Sequence, residues 1–358
     1  MKNCNPRNER IKRDYFQYLR EADQKSEATV RGIEKALARF EEYTGFVDFG
    51  KFKAAQAMGF KASVAEAGKD RNPLSKATIL STVNALQRFF RWLSYQPGFR
   101  SKIKLSDIEY FNLSKKDVRA ATSPKPKNYP SLEQFRRALF AMPSESETEQ
   151  RNQAVMALAI LTGIRDSALV SLRLKHIDLD RKLVMQDPTE VRTKNSKRID
   201  TIFFPVGDDI EAIFVAWFKY LRTVRYFGEN DPLFPRTASS FDPVKGFMHE
   251  GVEQRFWADA APVRAIFKRA FEAVDLPYFS PHRVRDTLAQ LGQKQCFSAE
   301  SWKAWSQNLG HESMLTTWAS YGQVTLDRQG ELVRSPTARP SSEAKMDRIL
   351  ELLENRRK

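Results

Sequence analysis

Apolar residues in the first third of the chain recur at helical spacing. Val30, Ile33, Leu37 and Phe40 fall on one face of a segment that Ser26 can cap and Gly45 can end. Ile79, Val83, Leu86, Phe89, Phe90 and Leu93 form a second stripe, which Ser75 can open and Pro97-Gly98 closes. Residues 8–120 therefore read as mostly helical. The stretch "ATSPKPKNYPS", Ala121 to Ser131, has two Pro-Lys steps and no apolar period, as expected of a stiff, basic, extended linker. Helical patterns resume in "SLEQFRRALFAM" and "TEQRNQAVMALAILTG". In "HIDLDRKLVMQDPTEVRTKNSKRIDTIFFP" the period changes. The short runs KLVMQ, EVRTK and RIDTIFF predict a small antiparallel sheet. Helices return in "DIEAIFVAWFKYLRTVRYF" and "APVRAIFKRAFEAVDL". The tail "SSEAKMDRILELLENRRK" places Met346, Ile349, Leu350 and Leu353 on one side of a short helix. The fold class expected is mainly α with a small antiparallel β-sheet, divided at the linker.

Composition narrows the class. A chain of 358 residues with 41% hydrophobic positions can form two or three domains with proper cores. It has no apolar run of membrane-spanning length, and "MKNCNPRNERIKRDYFQYLR" has no apolar signal core, so a cytoplasmic protein off the membrane is expected. Cys4 and Cys296 make neither a metal-ligand spacing nor a disulfide framework.

Charge adds a partner. The formal net charge is +15, and residues 1–130 hold 26 Lys and Arg against 14 Asp and Glu. Arg71, Lys76, Arg88, Arg91, Arg100, Lys102 and Lys104 follow one another without an intervening acid. A regional excess of this kind can neutralise phosphates and release counterions, so double-stranded DNA is the expected partner. Lys76, Arg88 and Arg91 on the second helix, and Lys125 and Lys127 in the linker, are the candidate contacts. The plain alternative is a solvated basic surface.

The candidate chemistry lies in three words and a turn. "LTGIRDSALVSLRLKHIDL" carries Arg165 after a Thr-Gly break. "RTKNSK" puts Lys194 at a hairpin tip, and "SPHRVRDTLAQLG" sets His282 and Arg285 one helical turn apart, sharing a face. "NLGHESMLTTWASYG" holds His311 ten positions before Tyr321. Singly each has an ordinary explanation: a salt-bridge arginine, a solvated turn lysine, a packing tyrosine. Their order and local settings carry the signal.

On these words the chain resembles the tyrosine recombinase, or phage integrase, family. The resemblance implies a helical core-binding domain over 1–120, a linker over 121–130, a catalytic domain over 131–335 and a tail helix over 336–358. It implies Tyr321 as nucleophile, supported by Arg165, Lys194, His282, Arg285 and His311. It also implies a homotetramer on two paired DNA sites, with the tail docking on a neighbour. Two features depart from the family pattern. Tyr321 lies one position further from His311 than is usual, and Ala168 stands where an acid usually follows the first arginine, with Asp166 nearby.

The chemistry is coherent with those residue types. A phosphodiester attacked by a phenol oxygen gains negative charge on its non-bridging oxygens, which two guanidiniums can clamp by forked hydrogen bonds. His282 is placed to take the phenolic proton, Lys194 to protonate the departing 5′ oxygen, and His311 to bond the phosphate or buttress the site. A covalent 3′-phosphotyrosine conserves bond energy, so neither metal nor ATP is expected. A type IB topoisomerase-like or hairpin-forming relative, or a DNA-binding regulator that lost activity, would share the fold.

Overall fold

The computed structural model describes residues 4–66, 73–123, 128–193, 197–242, 246–296 and 298–311. The chain forms two compact units, Met1–Lys125 and Pro126–Lys358.

The first unit holds α1 (Pro6–Glu21), α2 (Glu27–Thr44), α3 (Ala54–Ala65), α4 (Lys76–Ser94), α5 (Leu105–Ile108) and α6 (Lys115–Thr122). Local chemistry sets the ends of its helices. The Ser26 hydroxyl accepts from the Thr29 amide, Ser75 does the same for Thr78, and Gly45 closes α2 at φ 63°. The predicted stripes are buried, and they meet in a phenylalanine-rich core. Phe90 stacks on Phe52 at 4.0 Å, and Phe40 meets Phe90 edge-on at 5.4 Å. A buried polar pair ties α1 to α2: the Asn8 amide donates to Glu41 at 3.1 Å, and Lys12 meets the other Glu41 oxygen at 2.7 Å. Helix α6 runs through Ala121 and Thr122, two residues into the stretch expected to be extended. A Ser114 cap and the side-chain bond from Thr122 to the Val118 carbonyl explain its length.

The second unit is built around α8 (Glu147–Thr162), on which every residue from Ala154 to Thr162 is buried. Packed on it are α7 (Leu132–Phe140), α10 (Asp208–Thr223), α11 (Ala261–Glu272) and α12 (Val284–Gln295). The short α9 (Asp166–Leu169) and α13 (Ala299–Asn308) complete the described α-helices of this unit. Strands β1 (Ile177–Asp178), β2 (Leu183–Gln186) and β3 (Ile199–Ile202) make an antiparallel sheet in the order β1-β2-β3.

Two details differ from the sequence pattern. The segment EVRTK is not a strand in its described part, Glu190 to Thr193; β1 is the third strand instead. Asp187 caps a turn there, accepting from the Thr189 amide at 2.8 Å, while the Val191 amide returns to the Asp187 carbonyl at 2.7 Å. A second hairpin, β4 (Thr237–Asp242) and β5 (Gly246–Val252), was not anticipated from the sequence. No described helix is long and apolar enough to cross a membrane.

Candidate active site

Helix α8 ends in a left-handed glycine. Gly163 has φ 61°, and a Cβ there would stand 2.9 Å from Leu288 Cδ1 and 3.0 Å from Leu309 Cδ2. This turn delivers the half-buried Arg165 to the start of α9. The next residue, Asp166, pairs with Arg264 on α11 at 2.8 Å. Ala168 is buried, and the Arg165 segment is tied down by that ion pair and by Ser171, whose hydroxyl donates to the Ala168 carbonyl at 2.9 Å. The same Ser171 oxygen accepts from the Arg192 amide at 2.9 Å, which ties this segment to the chain leaving β2.

Arg285 is 2% exposed, a burial rare for arginine. Its guanidinium donates to the Gly163 carbonyl at 2.6 Å, to the Leu309 carbonyl and to His311 Nε2 at 2.8 Å. One side chain thus joins the ends of α8 and α13 to the candidate histidine. His282 is not on the same helix as Arg285. It lies in the preceding 3-10 turn, Pro281–Arg283, and is exposed. Proline at the turn's start and the Arg283 amide bonded to the Ser280 carbonyl at 2.8 Å account for the tighter geometry.

His311 follows a second left-handed glycine, Gly310 at φ 70°, and its amide returns to the Ser306 carbonyl at 3.1 Å. The ring is buried. Burial, then the charges of Arg285, Arg165 and His282, push its pKa down to about 3. Both effects disfavour a further positive charge. The structure therefore brings Arg165, His282, Arg285 and His311 into one electrostatic cluster. Lys194 and Tyr321 lie outside the described residues.

The family model for phage integrases matches residues 132–327, more than half of the chain. The chain belongs to the phage integrase family. No curated protein matches the sequence. Among solved structures, the chain is similar to a lambda integrase dimer bound to a COC′ core site. That match has a TM-score of 0.59 at 15% identity, covering 87% of this chain and 94% of the other. It is also similar to the XerH site-specific recombinase bound to a palindromic difH substrate in a post-cleavage complex. The TM-score there is 0.58 at 18% identity, covering 91% of this chain and 83% of that one. A Tn1549 transposon integrase in complex with transposon right end DNA gives 0.57 at 18%, covering 90% and 98%. At these identities the likeness speaks for the fold.

For an integrase-family chain the remaining candidates divide. Arg88 and Arg91 are exposed on α4, beside Trp92 and Tyr95 in a cleft of about 680 Å³. Lys76 is exposed too, but it pairs with Asp117 at 2.7 Å. That acid lies 41 positions along the chain, outside the run of basic residues, so sequence spacing does not relate the two. Lys125 and Lys127 lie outside the described residues, as does the tail with Met346, Ile349, Leu350 and Leu353. His176 is structural: its Nδ1 accepts from the Arg173 amide at 2.9 Å and its Nε2 meets Glu190 at 3.0 Å.

Proposed function

We propose that this integrase-family protein is a site-specific DNA recombinase that cuts and rejoins strands through Tyr321. The observation that carries the proposal is the buried Arg285 guanidinium seated on the His311 ring at 2.8 Å, with the charges of Arg165 and His282 acting on the same ring. Such a cluster suits a phosphate whose charge grows during reaction. The phage integrase match over residues 132–327 supports the same reading.

The scissile phosphate sits against Arg165 and Arg285. The Tyr321 oxygen attacks phosphorus, its proton passing to His282. The P–O5′ bond breaks, Lys194 protonates the departing 5′ oxygen, and a 3′-phosphotyrosine remains. A 5′-hydroxyl then attacks that linkage and releases the tyrosine. Each step exchanges one phosphoester for another, so the bond count is conserved and neither hydrolysis nor ATP is needed. His311 enters this scheme neutral, as a hydrogen-bond group and not as a third cation.

The helical unit over 1–120 and the basic residues Arg88, Arg91, Lys125 and Lys127 serve double-stranded DNA binding, with the catalytic segment over 131–335. The assembly proposed is a tetramer on two paired sites, with residues 336–358 docking on a neighbour. The deciding experiment is trapping on DNA that carries a nick near the cleavage site. A covalent adduct lost in Tyr321→Phe, with DNA binding retained, is the expected result. An undiminished adduct, or one mapped to another residue, would overturn the assignment.

A further inference from the structure

Among the described residues, the sheet order leaves one edge of β3 without a strand partner. At that edge Ile202 presents its backbone N–H and C=O outward, and a single side chain takes both. Asn308 Oδ1 accepts from the Ile202 amide at 2.7 Å, and Asn308 Nδ2 donates to the Ile202 carbonyl at 2.8 Å. A primary amide has a donor and an acceptor side by side in one plane, so it can imitate the next peptide unit of a sheet. The neighbouring Thr201 hydroxyl donates to the Asn308 backbone carbonyl at 3.2 Å.

Asn308 is the last residue of α13, three positions before His311. Between them, Leu309 offers its carbonyl to Arg285, and Gly310 lies so close to β3 that a Cβ would stand 3.0 Å from Ile199 Cδ1. The turn carrying His311 is thus gripped from two sides. Arg285 holds it from α12, and β3 holds it through Asn308, Thr201 and Ile199.

We infer that Asn308 is a positioning residue: by completing the edge of β3 it fixes the turn that seats His311 against Arg285. The inference rests on the proposed recombinase chemistry only for its kinetic consequence; the seating itself is independent of it. Releasing the clamp leaves the turn held from one side, so the ring gains solvent and moves from the guanidinium.

The test compares the full-length parent with Asn308→Ala, Thr201→Val and Thr201→Ser. The ring of His311, labelled at Cε1 and assigned with His311→Gln, is followed by NMR between pH 4.5 and 8. Arg285 on α12, Arg165 before α9 and His282 in the 3-10 turn are the charged groups whose fields act on it. The parent ring is expected to stay neutral throughout. In Asn308→Ala and Thr201→Val it is expected to titrate within the window, and Thr201→Ser should restore the parent profile. Single-turnover cleavage of nicked DNA should fall about tenfold in Asn308→Ala, which loses a pair of hydrogen bonds, and by about threefold to tenfold in Thr201→Val, which loses one bond of the clamp, with DNA affinity within twofold in both. If Asn308→Ala does not fold, the Thr201 pair decides alone. A ring that stays neutral in the variants, or parent-like cleavage beside an unmoved titration, would overturn the inference. If the parent itself cleaves nothing, the recombinase reading fails and the titration alone decides the seating.

Discussion

Arg285 and His311 share a hydrogen bond of 2.8 Å in which only the arginine can donate. A guanidinium has no acceptor and keeps its protons, so His311 Nε2 must be the lone-pair side of the ring. The imidazole proton then resides on Nδ1. The pairing sets the tautomer and, together with burial, keeps the ring neutral.

Acid should therefore destabilise the protein partly through this ring. The folded pKa lies at about 3, below the ordinary value of ~6.5. Between those limits the unfolded chain binds a proton that the fold does not, so stability rises with pH. The contribution is complete above about pH 6.5 and is lost as pH falls toward 3. His311→Gln should flatten the slope of unfolding free energy by up to ~1.4 kcal/mol per pH unit inside this window. Urea unfolding at pH 4.5, 5.5 and 7 measures it, and an unchanged slope would contradict the assignment.

Arg285→Lys keeps a positive charge but not the fork. Gly163 and Leu309 carbonyls and His311 cannot all be met by one ammonium. We expect a stability loss of about 2 kcal/mol from buried acceptors left short of donors. Covalent trapping should drop on the order of a hundredfold while DNA affinity changes little. Cleavage within a few-fold of the parent would refute the clamp.

Two glycines make an opposed pair. Gly163→Ala puts a methyl group against Leu288 and Leu309 at φ 61°. The strained conformation and overpacking together should cost about 2–4 kcal/mol. Gly32, inside α2, has nothing within 4 Å of a new Cβ, so Gly32→Ala should stabilise by about 0.5–1 kcal/mol. Melting curves of the two variants should move in opposite directions.

Salt dependence of DNA binding should separate the basic residues of α4. Arg88→Ala and Arg91→Ala should each reduce the slope of log affinity against log salt by about 0.9. Lys76→Ala should change it less, because Asp117 already holds that ammonium at 2.7 Å. A slope unchanged from the parent in Arg88→Ala and Arg91→Ala would remove those residues from the interface.

Lys194→Ala should be rescued by chemistry. If Lys194 protonates the leaving 5′ oxygen, a substrate with a bridging 5′ sulfur needs no such proton, because a thiolate departs unaided. Cleavage of the sulfur substrate by Lys194→Ala at the parent rate is expected. A sulfur substrate as slow as the ordinary one would move the role elsewhere, with Lys197 next to be tested.

The sequence by itself determined what depends on neighbours along the chain. Helical stripes such as Ile79 to Leu93, the Ser26 and Ser75 caps and the Gly45 stop are governed by local periodicity and backbone freedom, so they were legible without coordinates. The order of Arg165, His282, Arg285 and His311 was legible for the same reason, as residues set beside breaks and turns. Tertiary structure decided everything that depends on partners far away in sequence. It buried Arg285 and gave it three acceptors on other segments, set Asp166 on Arg264 where an acid at position 168 was missing, and neutralised Lys76 with Asp117. It also ended the strand pattern at Asp187 and turned Asn308, unremarked in the sequence, into the edge of a sheet. Charge pairing, desolvation and edge completion act through space between groups that sequence spacing does not relate, so only the folded chain could decide them.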